Sequence, residues 1–206
     1  MSSGLTVLLT DYMLAGAAAW VAAQIALASS RTASWAQSLW SVAFAVGALA
    51  AFAGGTVSGF NLSLASFAGA FLWQCALLGA ALAGALLLAG AARHALRGGW
   101  LRLALGIVAA KAALELVVLS GSALARDAVW AGVATVVLLL ALAVLIARKD
   151  RATPSSLVLG SFLAGAGFAV QLLRPPIHPY FNHNDACHVL LTASVWPFYL
   201  AGLRLR

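Results

Sequence analysis

Residues 128–147 read AVWAGVATVVLLLALAVLIA, twenty consecutive positions without a charge. As an α-helix such a stretch rises about 30 Å, the thickness of a bilayer's hydrocarbon core. A helix at a soluble protein's surface would need a polar face, and this one has none. Working outward, comparable apolar runs recur at Thr6–Ala28, Trp40–Phe60, Leu64–Ala89 and Leu101–Ser120 before it, and at Ser156–Leu173 and Asp185–Leu203 after it. Together with Ala128–Ala147 they predict an all-α polytopic membrane protein, a seven-transmembrane helix bundle occupying residues 1–206 as one domain. Between the second and third runs, Gly54, Gly55, Gly59 and Asn61 predict a break and a tight turn.

The composition agrees, because 64% of the 206 residues are hydrophobic and 8% are charged, against roughly 25% charged in soluble domains. The formal net charge of +7 does not indicate a nucleic-acid partner. Its basic residues sit in the breaks between apolar runs instead of forming a stripe on a soluble domain. Arg31, Arg93, Arg97, Arg102, Arg148, Lys149, Arg151, Arg204 and Arg206 fall on the side that holds the C-terminus, whereas Arg126 and Arg174 fall on the other and Lys111 is internal. Basic loops stay in the cytoplasm, so the N-terminus is expected outside and the C-terminus inside. No Lys or Arg precedes the first run and Asp11 interrupts it, so it is expected to be a retained span and not a cleaved signal. Cys75 and Cys187 cannot build a disulfide framework. Trp35, Trp40, Trp100 and Trp130 lie near span ends, where the membrane interface favours them. Gly55 and Gly59 have the spacing of a close helix–helix contact in lipid.

Ionisable groups are expensive inside a bilayer, so their positions carry information. Asp11, Glu115, Asp127 and Asp185 all belong to the outer half, as do His178, His183 and His188, while Asp150 and His94 are cytoplasmic. Ser58 and Asn61 join the same end. The densest cluster is Ile177-His178-Pro179-Tyr180-Phe181-Asn182-His183-Asn184-Asp185-Ala186-Cys187-His188. Asp185 and His188 are three apart and share a helical face, and His183 can fold back over the first turn. Imidazoles with a carboxylate are a typical zinc donor set, so His183, Asp185 and His188 are candidate metal ligands, with Cys187 a weaker one. The competing reading is that Asn184 or Asp185 caps the last span and the histidines face interfacial water. Asp11 is either a helix-start residue or a general base or imidazole-orienting partner. Lys111 and Glu115, four apart, read as a structural ion pair. Ser58 reads as a helix-end hydroxyl unless its neighbours recruit it. Pro197, between Trp196 and Tyr199, predicts a kink in the last span.

Seven spans, an outward N-terminus, a histidine-bearing start to span seven and a polar end to span two resemble the CREST superfamily, which includes alkaline ceramidases and adiponectin-receptor relatives. The stretch Phe181–His188, followed by Tyr199 and Gly202, also resembles a bacterial branch of small seven-span proteins, which implies a bacterial inner membrane. The resemblance implies a zinc hydrolase acting on an amide or ester of a lipid. Zinc would activate water, an acid would shuttle protons and a serine would help hold the oxyanion. The family's span-two Ser-xxx-His element corresponds here to Gly54-xxx-Ser58, and its span-seven His-xxx-His pair to Asn184-xxx-His188. A rearranged site is then expected to use His183, Asp185 and His188 for zinc, with Asp11 and Ser58 in catalysis. Membrane lipids and a lipid-like small molecule are the expected partners. The alternatives are a lipid-binding or sensing protein that kept the fold without the chemistry, and a transporter coupled through Asp11, Lys111 and Glu115. The last lacks the internal repeat that many transporters show.

Overall fold

The computed structural model describes residues 3–121, 125–148, 152–178 and 181–205. Lys149, Asp150, Arg151 and Arg206 of the charge count, and Pro179 and Tyr180 of the histidine-rich cluster, lie outside the described residues. Seven helices follow the expected runs: α1 Ser3–Thr32, α2 Trp35–Gly59, α3 Phe67–Ala95, α4 Gly98–Ser120, α5 Ala125–Ile146, α6 Ala152–Leu173 and α7 His183–Gly202. Helices α1 to α6 are long and apolar enough to cross a membrane. Helix α7 has 20 residues and carries His183, Asp185 and His188 in its first two turns.

The glycines expected to break the chain between α2 and α3 instead lie within α2. The break comes after them. Asn61 adopts the left-handed conformation at φ +49°, while Leu62 N donates to Val57 O at 2.9 Å and Asn61 N donates to Ser58 O at 3.4 Å. This double bond pattern closes a helix C-terminus, and asparagine tolerates its left-handed position. Ser66 then starts α3 by accepting a bond from Gly69 N at 3.1 Å. The glycines serve close approach. A Cβ at Gly55 would stand 2.5 Å from Asp11 Cβ, and one at Gly59 would stand 2.6 Å from Leu8 Cβ. The absence of both methyl groups lets α2 lie directly against the stretch of α1 that carries Asp11.

Six of the helices close a ring. Helix α1 packs on α2, α2 on α3, α3 on α5, α5 on α6, α6 on α7, and α7 returns to α1. Helix α4 stands outside, against α3 and only slightly against α5. One end of the ring is plugged by a core that includes Ile25, Trp40, Leu88, Ile146, Leu157 and Leu205, all fully buried. Trp40 therefore departs from the interfacial position expected of it. Its indole packs edge-on to Phe44 and Phe198 and donates to Leu87 O at 2.9 Å, which a buried indole N–H requires. At the same end Ser34 Oγ donates to Leu205 O and Gln37 Nε2 donates to Leu203 O, both at 2.9 Å. These bonds tie the α1–α2 turn to the end of α7.

Candidate functional site

The opposite end of the ring gathers the start of α1, the end of α2, the starts of α3 and α5, the end of α6 and the start of α7. From this end a cavity of about 370 Å³ runs inward between the six ring helices, a size within the usual range of ligand sites. Its walls are mostly alanine, glycine and larger aliphatic or aromatic groups. Polar side chains concentrate at the mouth, where Asp11, Ser58, Gln171, Asn184 and His188 line it together with Trp73.

Helix α1 begins at Ser3, so Asp11 is two turns inside the helix and not in its first turn. The residue is 4% exposed. His188, on α7, places Nδ1 2.7 Å from Asp11 Oδ1 while keeping 19% of its side-chain surface accessible. Nδ1 faces the carboxylate at this distance without meeting hydrogen-bond geometry. With Nδ1 occupied by the carboxylate, Nε2 is the ring nitrogen left for a ligand. Burial of an acid in an apolar helix is costly unless it is partnered, and His188 is that partner.

Asp185 has a different fate. Asn182 caps α7 by accepting bonds from Asn184 N at 2.8 Å and Asp185 N at 3.2 Å. Asp185 Oδ2 returns a bond by accepting from Asn182 N at 2.8 Å. This reciprocal arrangement is a capping box, in which the cap is Asn182, two residues before the Asn184 expected to fill that role. Thr6 Oγ1 also donates to Asp185 Oδ2, at 3.4 Å, linking α1 to the cap. Asp185 Oδ1 is buried with no partner among the described residues.

His183 is half-buried at the first position of α7 and does not line the cavity. His178 forms a short backbone bridge with Phe181 ahead of α7. Cys187 is a free, buried thiol in the cavity wall, and Cys75 is free and exposed on α3. Among the described residues no three His, Cys, Asp or Glu side chains gather into a group that could hold a metal. The donor set expected for zinc is thus dispersed: His188 faces Asp11, Asp185 serves the cap, and His183 stands apart. These residues as arranged do not fit a zinc centre.

Ser58, near the end of α2, is in the cavity lining, and Lys111 Nζ and Glu115 Oε1 form the expected pair at 2.6 Å. That pair is on α4 and does not line the cavity. Two residues escaped the sequence reading. Gln171 Nε2 donates to Asn184 Oδ1 at 3.2 Å across α6 and α7, while Gln171 Oε1 and Trp73 Nε1 are shielded from solvent without partners among the described residues. An amide inside the apolar run of α6 was a readable signal by its cost in hydrocarbon. Trp73 offered none, since aromatic residues near span ends are common.

The chain matches a family of unknown function, DUF6962, over residues 6–206, and belongs to it. No curated protein and no solved structure matches the chain.

Proposed function

We propose that this family member is a membrane-embedded hydrolase of a lipid-like amide or ester, with seven spans, the N-terminus outside and the C-terminus in the cytoplasm of a bacterial inner membrane. The observation that supports it is the Asp11–His188 contact at the polar mouth of an otherwise apolar cavity. A lipid tail occupies the apolar depth and brings its polar linkage to the mouth. His188 Nε2 takes a proton from water as the water oxygen attacks the carbonyl carbon. The Asp11 carboxylate stabilises the imidazolium that results. When the tetrahedral intermediate collapses, the imidazolium returns the proton to the departing amine or alkoxide, and the acid product is released. The Ser58 hydroxyl, in the cavity lining, can donate to the oxyanion or hold the water. A positioned base of this kind contributes roughly 10²–10⁴-fold to rate.

A second reading is a lipid-binding or sensing protein with the same cavity and no turnover. The dispersal of the metal donors, with Ser58 and Asn184 where the resembling family has histidines, favours it. Coupled transport has less support, because Lys111 and Glu115 lie away from the cavity. The test is incubation of the purified protein in nanodiscs with N-acyl and O-acyl lipids, with and without zinc and chelator, reading free fatty acid by mass spectrometry. Release that disappears in His188→Ala supports hydrolysis. Intact lipid bound to the protein with no release from any substrate leaves the binding reading in its place.

A further inference from the structure

Two amide side chains at the mouth share one hydrogen bond, and it leaves them in opposite situations. Gln171 Nε2, on α6, donates to Asn184 Oδ1, on α7, at 3.2 Å. Gln171 Oε1 is shielded without a partner among the described residues, so the Gln171 carbonyl is closed to a ligand. Asn184 is the reverse case. It is half-buried in the cavity lining. Its Oδ1 is occupied by Gln171, while its Nδ2 has no partner among the described residues and keeps accessible surface. The opposite setting of the two amides would put both N–H groups of Gln171 Nε2 where the shielded carbonyl now lies. Stranding two buried donors costs more than stranding one acceptor. The bond therefore leaves the accessible end of Asn184 a donor.

Asn184 and His188 are four residues apart on α7, so they share a face, with Cβ atoms about 5–6 Å apart. Both line the cavity. Asn182 holds this first turn in place by accepting from Asn184 N at 2.8 Å and from Asp185 N at 3.2 Å. A fixed donor one turn from the base suits acyl chemistry. As the water oxygen bonds to the carbonyl carbon, the carbonyl π pair moves onto oxygen, and an N–H held there stabilises the charge without transferring a proton. Asn184 does so without adding a charge to a lining whose acid, Asp11, already faces His188. The Ser58 hydroxyl, on α2, is then left to hold the water.

We infer that Asn184 Nδ2 is the donor that binds the carbonyl oxygen of an acyl lipid, with Gln171 a positioning residue that holds Asn184 by its Oδ1. The assignment rests on the reading above that a lipid carbonyl reaches His188. The experiment pairs turnover of N-acyl and O-acyl lipids with isotope-edited infrared spectra of a non-hydrolysable probe. The probe is a long-chain methyl ketone, labelled at its carbonyl carbon and bound to the full chain in nanodiscs, with empty nanodiscs subtracted. In the wild type the bound carbonyl band lies below its position in lipid. Asn184→Asp still accepts from Gln171 but presents no N–H, and Asn184→Leu removes the donor without adding charge. Both return the band to its lipid position, weaken ketone binding about threefold to tenfold and lower kcat about 10²–10³-fold. Gln171→Leu keeps the band shift at reduced amplitude and lowers kcat about tenfold. A band at its lipid position in the wild type, or a shift that survives both Asn184 variants, overturns the inference. So does Asn184→Asp turnover within about threefold of wild type, the result of a bond that only ties α6 to α7. A shift that depends on Asn184 in a protein that releases no fatty acid supports the donor and removes the hydrolase reading. A ketone that does not bind overturns the inference together with the lipid site beneath it.

Discussion

Two pairs of ionisable residues sit inside apolar helices of this protein, and they behave differently. Lys111 and Glu115 lie one turn apart on α4, the helix outside the ring, at 2.6 Å, and they line no cavity. Asp11 and His188 lie on α1 and α7, at the two ends of the chain, meet at 2.7 Å and open onto the cavity mouth. The first pair neutralises itself within one helix, a local arrangement that needs no other part of the fold. The second exists only because the ring closes, and it leaves an imidazole nitrogen for a ligand. Position relative to the cavity, more than burial or charge, separates a pair that holds a helix from one that a ligand can reach.

The contrast predicts its largest effect on turnover. His188→Gln or Asp11→Asn lowers hydrolysis by roughly 10²–10⁴-fold, whereas the double variant Lys111→Leu/Glu115→Leu leaves it within about threefold because that pair touches no substrate. Similar losses in both, measured as rates of fatty-acid release, would break the distinction. A smaller effect concerns stability. Glu115→Leu alone strands a buried ammonium and costs about 3 kcal/mol, while the double variant recovers most of the loss. Thermal unfolding in detergent reads this directly, and an undisturbed single variant would mean that Lys111 reaches water unaided. The smallest effect sharpens the role of Asp185. Asn182→Ala removes the α7 cap at a cost of about 1 kcal/mol, and zinc content measured on the same samples stays equal to wild type if Asp185 serves the capping box and holds no metal.

Much of the bundle was legible before folding because its signal is local. Seven apolar runs marked seven helices, with ends differing by up to about six residues, since a span must satisfy its backbone internally and bury no unpaired charge. The Lys111–Glu115 pair was legible for the same reason. Other expectations failed where the outcome depended on neighbours. Gly54, Gly55 and Gly59 carry the turn-forming chemistry of a break, but α2 keeps them for its contact with α1, and Asn61 makes the turn instead. Trp40 looked interfacial from its place near a span end, yet the α7 ring of Phe198 and the Leu87 carbonyl enclose it.

The amino-acid order by itself determined the helical, membrane-compatible class, the number of helices and the clustering of acids and imidazoles toward one end, because hydrophobic run length and the cost of intramembrane charge are properties of the chain. Which of those side chains meet was decided only by tertiary structure. Asp185 and His188 are three residues apart, yet one is drawn into a cap by Asn182 and the other turns to Asp11. Helix periodicity places a side chain on a face, but the partner across that face is supplied by another helix. Here that helix is α1, brought against α7 by closure of the ring.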